Sequence, residues 1–178
     1  MKQIYHFKEH RDKISKLIQN LKSSGYSIAV SNGCFDILHP AHIDSLNRAK
    51  EYAKEHYLRY CDSSQKANIK AILIVGLNSD SSIKRLKGPD RPIFNEKDRA
   101  LMLLGLGCAD YVIIFNEDTP KKLLEVLKPN FLIKGGNYSV AEVIGGDIVK
   151  RHGGEVKVTK YLNRYSSTDI IEKIKKLK

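Results

Sequence analysis

Apolar residues Ile14, Leu17, Ile18 and Leu21 recur at three- and four-residue spacing and stop at Ser23-Ser24-Gly25. This predicts an amphipathic helix over about residues 7–24, ended by glycine. The pattern then changes to short continuous apolar runs at residues 27–31, 71–75, 111–115, 131–133 and 156–158, each with strand character. Between them lie helical stretches at about 40–57, 97–106, 120–127, 141–152 and 169–177. Strands buried along their whole length and alternating with helices imply a parallel sheet covered on both faces, so the fold class is α/β, doubly wound and Rossmann-like. No repeat, low-complexity tract or proline-rich linker divides the chain, which predicts one domain over residues 1–178 with its α/β core from about residue 27. Residues 59–70 are polar and turn-prone and read as an extension between the first crossover helix and the second strand.

Composition narrows the class. The chain has 178 residues, 42% of them hydrophobic, enough for one substantial core. Its longest apolar runs fall far short of the roughly 20 residues of a membrane span. The start, Met1-Lys2-Gln3-Ile4-Tyr5-His6, lacks the apolar stretch of a signal peptide, so a soluble, cytoplasmic protein is expected. Cys34, Cys61 and Cys108 are odd in number and widely spaced, which predicts free thiols rather than disulfides or a zinc site. The net charge of +11 favours anionic ligands, but the lysines are dispersed and a solvated basic surface accounts for most of it.

Candidate chemistry collects after the first of these strands, where open parallel sheets bind ligands. Residues 31–42 read Ser-Asn-Gly-Cys-Phe-Asp-Ile-Leu-His-Pro-Ala-His. Pro40 suits a first helical turn, which leaves neighbouring amides free for an anion. His39 and His42 would then share one face near the positive end of the helix, able to hold a triphosphate and to donate hydrogen bonds to a transferring phosphoryl group. An isolated pair at this spacing is more often one cap and one solvated residue. Three further segments point the same way. Ser166-Ser167-Thr168-Asp169 is a helix start with capping hydroxyls and free amides. The segment from Lys84 to Arg91 reads as a basic loop on the ligand side of the second strand, and Lys134-Gly135-Gly136 follows another strand with glycines that admit a close ligand.

Segment 32–42 resembles the HxGH signature of the nucleotidyltransferase superfamily, and the chain from about residue 28 to 174 resembles the heptose 1-phosphate adenylyltransferase family. Besides those residues the likeness includes Asn78-Ser79-Asp80, residues 84–92, Glu117-Asp118-Thr119-Pro120, residues 134–138 and Tyr165-Ser166-Ser167-Thr168. Two positions depart from the pattern: Ala41 stands where the superfamily has glycine, and Asn137 where the family has aspartate.

The resemblance implies transfer of AMP from ATP to a sugar 1-phosphate, D-glycero-D-manno-heptose 1-phosphate, giving ADP-heptose, a glycan or lipopolysaccharide precursor, and pyrophosphate. It implies catalytic roles for His39, His42 and a lysine from Lys84 or Lys87, a choice that spacing leaves open. Nucleotide binding falls to Asn32, Gly33, Cys34, Phe35, Lys134, Gly135, Ser166, Ser167 and Thr168. Sugar phosphate binding falls to Asp36, Asn78, Asp80, Arg91, Gly136 and Asn137; for Asp36 a structural use is as well supported. Mg²⁺ would bridge triphosphate oxygens with no cage built from protein alone. A separate sugar kinase is expected, with no nucleic acid or membrane partner; a homodimer is compatible with the sequence, which leaves the oligomeric state open. Two alternatives remain: a cytidylyltransferase acting on glycerol 3-phosphate or an amino-alcohol phosphate, and a basic nucleic-acid-binding module.

Overall fold

A computed structural model describes residues 3–61, 68–107, 109–136, 139–159 and 165–177. Strands β1 (Gln3–His6), β2 (Ser27–Gly33), β3 (Ala71–Asn78), β4 (Tyr111–Phe115), β5 (Phe131–Gly135) and β6 (Glu155–Thr159) form one sheet in the order β1-β4-β3-β2-β5-β6. Every neighbouring pair is parallel. Helices are α1 (Arg11–Ser23), α2 (Pro40–Tyr60), α3 (Asp80–Lys87), α4 (Glu96–Gly105), α5 (Lys121–Leu127), α6 (Gly146–Arg151) and α7 (Ser167–Lys175). The doubly wound α/β expectation therefore holds.

Strand alternation divides the core in two. Ile72 and Ile74 of β3 pack with Ile14, Ile18, Leu123, Leu124 and Val149 from α1, α5 and α6. Leu73, Val75 and Leu77 turn to the other face, against Leu46, Ala49 and Ala53 of α2 and Ala100 and Leu103 of α4. A fully buried leucine of this kind contributes about 2 kcal/mol over an exposed one, and the period of two explains why these strands read as unbroken apolar runs. From β2 the chain winds outward through β3 to β4, then crosses back to β5 and β6 on the opposite side of β2. That reversal leaves a crevice between the carboxyl ends of β2 and β5, the place where such sheets bind ligands.

Three elements differ from the sequence expectation. Strand β1 is a four-residue edge strand before α1, too short and too polar for its alternation to register. Residues read as the start of a basic loop are instead the end of α3: the Ser79 hydroxyl caps this helix by accepting from Ser82 N–H, and Ile83 anchors it in the interior. The helix expected over 141–152 is broken into a 3₁₀ turn, Val140–Glu142, and α6, because Gly145 takes a left-handed conformation (φ 87°) between them. Asn137 and Cys108, and most of the polar extension at 62–67, lie outside the described residues.

Candidate active site

Beyond β2, Phe35 adopts a left-handed conformation (φ 46°) that folds its ring back over Gly33, where a Cβ would stand 3.2 Å from it. A side chain at position 33 would press on that ring. The same ring lies 5.0 Å from that of His42 and so supports one side of the imidazole. Pro40 opens α2, with His39 as an extended N-cap whose side chain makes no capping bond. One turn apart, the rings of His39 and His42 stack at 3.7 Å and 20°. Ala41 is buried, so its methyl group points into the protein and not among the residues that line the crevice.

Burial lowers the pKa of both histidines. For His42 the value falls to about 3, with His39 and Lys134 adding to the effect of burial. Both imidazoles are therefore neutral at pH 7, each with one N–H donor and one bare nitrogen. Nδ1 of each ring is buried and has no hydrogen-bond partner in the protein. Leaving such atoms unpaired is costly.

Cations face the pair from β5 and α3. Lys134 Nζ donates to the Asn32 carbonyl at 3.0 Å and so ties the ends of β5 and β2 together across the crevice. Burial pulls its pKa down, with Lys87 acting in the same sense and Cys34 opposing. The Cys34 thiol is pushed up by burial against the pull of Lys87, Arg99 and Lys134, which keeps it protonated and unsuited to nucleophilic attack. From the opposite wall, the Ser166 hydroxyl caps α7 by accepting from Asp169 N–H at 3.0 Å. Ser167 donates to the Ile37 carbonyl at 3.0 Å and accepts from Ile37 N–H at 3.3 Å, which fixes the start of α7 against the histidine loop.

Together these elements enclose a cleft of about 640 Å³. Its lining includes, from the sequence expectation, residues 32–36, His39, His42, Lys87, Arg91, Lys134, Gly135, Gly136 and Ser166 to Thr168. Lys84 and Asp80 are placed elsewhere, on a separate depression between the starts of α3 and α4. Asn78 borders an adjoining cavity. The Asp36 carboxylate is almost wholly buried and committed: one oxygen accepts from Arg91 Nε at 2.5 Å and the other from Ile93 N–H at 2.7 Å. It therefore anchors the 91–94 segment to the histidine loop, the structural use that its sequence position had equally allowed. Both its oxygens are engaged, and no cluster of three metal-ligating side chains occurs among the described residues.

Sequence reasoning missed Arg99. Its guanidinium is fully buried and donates to the carbonyls of Cys34 (2.5 Å), Asn78 (2.9 Å) and Phe94 (2.9 Å) and to the Asp80 carboxylate (2.8 Å). An arginine on an otherwise ordinary amphipathic helix carries no signal for that role. Tyr165, whose ring lies 6.4 Å from that of His39, was noted only as part of a motif.

A Rossmann-like sheet whose switch-point crevice carries paired imidazoles, cationic side chains and two helix starts is the setting of a nucleotidyltransferase, and this protein is an enzyme of that class. The chain belongs to the cytidylyltransferase-like family, whose family model matches residues 30–173. Among curated proteins it is similar to the bifunctional protein HldE of Helicobacter pylori strain J99, 45% identical over 163 residues that make up 92% of this chain and 31% of that protein. The bifunctional protein HldE of Geobacter metallireducens is 42% identical over 163 residues, 92% of this chain and 30% of that protein. The chain thus spans about a third of the length of these relatives. Among solved structures it resembles the lipopolysaccharide core biosynthesis protein of Thermoplasma volcanium, with a TM-score of 0.56 and 25% identity over 80% of this chain and 100% of that one. No helix among the described residues is long and apolar enough to cross a membrane.

Proposed function

We propose that the enzyme transfers AMP from ATP to a heptose 1-phosphate, giving an ADP-sugar and pyrophosphate. The observation that carries this reading is the stacked, neutral pair His39 and His42 at the start of α2, lining the cleft together with Lys134. A phosphate oxygen of the acceptor attacks the α-phosphorus of ATP, the bond from that phosphorus to the bridging oxygen breaks, and pyrophosphate leaves with the electron pair. Imidazole N–H groups donate to the α-phosphate oxygens as charge spreads over them, while Lys134 and Lys87 balance the anions. The start of α7 holds the remaining phosphates. A divalent ion such as Mg²⁺ would supply further charge neutralisation from the triphosphate oxygens. The protonated Cys34 thiol is a poor nucleophile, and the transfer is read as direct, with no covalent enzyme intermediate. Adenine and heptose rest on the motif likeness to heptose 1-phosphate adenylyltransferases, with the HldE relatives in support. The sugar 1-phosphate is supplied by a separate kinase activity.

The test is pyrophosphate release with each of ATP, CTP, GTP and UTP across a panel of sugar and polyol phosphates. ATP with an aldoheptose 1-phosphate should be the best pair. Preference for CTP with glycerol 3-phosphate or an amino-alcohol phosphate would replace this reading by the cytidylyltransferase alternative.

A further inference from the structure

The crevice continues beyond Lys134. On its far side lies a second cavity of about 320 Å³, bounded by the loop after β4 and by the 3₁₀ turn after β5. Asn32, Gly33, Cys34, Lys87 and Lys134 line both spaces and form the wall they share. The lining of the second is graded in charge: two lysines at the shared wall, then Asp118 and Glu142, with Val143 and Ile144 beside them. Among the described residues, each carboxylate has one oxygen engaged and one without a partner. In Asp118, Oδ1 accepts from Arg85 Nε at 2.8 Å. In Glu142, Oε2 accepts from the Ser139 N–H at 2.7 Å and the Ser139 hydroxyl at 2.8 Å, and these bonds hold its pKa below the usual carboxylate value. The free oxygens are acceptors for hydroxyl groups, and the two apolar side chains suit the C–H face of a sugar ring.

A ligand matching this gradient has one phosphate, placed at the lysines, and an uncharged polyhydroxylated body reaching toward the carboxylates. We propose that this cavity is the acceptor subsite, that it takes neutral sugar phosphates, and that Asp118 and Glu142 turn away acceptors bearing a second negative group. The assignment rests on the reading of the first cleft as the nucleotide site. It sets the two substrates on opposite sides of Lys134, as attack on the α-phosphorus from the acceptor side requires. It also moves acceptor recognition away from Asp36 and Arg91, which line the first cleft, and from Asp80.

Steady-state pyrophosphate release with ATP tests it, comparing a neutral aldose 1-phosphate with the corresponding uronic acid 1-phosphate. Ile144 is 54% exposed, so Ile144→Trp fills the cavity without disturbing the core; equal melting temperatures check this. The variant should raise KM for the neutral acceptor about tenfold or more and leave KM for ATP within about twofold. The double variant Asp118→Asn, Glu142→Gln should narrow the preference for the neutral acceptor over the uronate by about tenfold, since it removes like-charge repulsion. An unchanged acceptor KM in Ile144→Trp, or an unchanged preference in the double variant, overturns the subsite while leaving the nucleotidyltransfer reading intact. Absence of pyrophosphate release by the wild-type enzyme with every sugar phosphate overturns the underlying reading, and this assignment with it.

Discussion

At the carboxyl ends of β3 and β4 the polar side chains satisfy one another. Asn78 donates to Ser82 at 3.0 Å, Ser79 to Asn116 at 2.8 Å and Ser82 to the Glu117 carbonyl at 3.1 Å, while Arg99 fills the acceptors of Asn78 and Asp80. Beside them, at the ends of β2 and β5, His39 and His42 hold buried nitrogens with no partner and Lys134 is a desolvated cation with a single carbonyl contact. Of the three unpartnered buried side-chain atoms among the described residues, two are these; the third, the Tyr57 hydroxyl, lies far along α2. Folded chains pair nearly all their buried polar groups. Paired polar clusters at a sheet edge therefore read as scaffold, and polar side chains that line the cleft read as a place for a ligand. Residue type alone does not separate the two, since both regions are rich in motif residues.

Substitutions in the two regions should fail in different ways. His42→Ala should lower kcat about 10²–10³-fold, the loss typical of removing one transition-state donor, with an unchanged circular dichroism spectrum and melting temperature. A near-normal rate would remove the histidines from the chemistry. In the paired region, Arg99→Met strands three carbonyls and Asp80 and should cost about 3 kcal/mol of stability in urea unfolding. A loss below about 1 kcal/mol would mean that the cluster is not the scaffold it resembles. The two lysines of α3 sharpen the contrast. Lys87→Ala should lower kcat/KM about tenfold, whereas Lys84→Ala, outside the cleft, should stay within about twofold; equal losses would contradict the placement.

A further effect is electrostatic. His42 has a pKa of about 3 in the folded chain against 6.5 as its ordinary value, so between those limits the unfolded chain binds more protons. Stability should thus fall as the pH drops from about 6.5 toward 3, with no contribution from this group above 6.5. Urea unfolding at pH 7, 5 and 4 checks the slope, and His42→Gln should flatten part of it.

Much of this was legible in the chain. Five of the six strands announced themselves because a parallel sheet buries both faces, and Pro40 marked the start of α2 because proline suits a first helical turn. The cleft residues of β2 and β5 could be grouped because both follow strands, and the crevice lies at strand ends. Three matters were not readable. Helix α3 was hidden because Ser81 and Ser82 are weak helix formers, and its order comes from the Ser79 cap and the burial of Ile83. Whether Lys84 or Lys87 reaches the cleft depends on how that helix docks, which spacing does not record. The commitment of Asp36 to Arg91 joins positions 55 residues apart, a pairing set by tertiary packing alone.

The central claim is that two neutral, stacked imidazoles meet the triphosphate of the bound nucleotide. Nitrogen-15 NMR of histidine-labelled protein tests it most directly. The account predicts that His42 stays neutral from pH 8 down to about 4, and that the His39 and His42 ring nitrogens shift when Mg·ATP is added while His56 and His152 do not. A His42 resonance that titrates near 6.5, its ordinary value, and ignores ATP would contradict it.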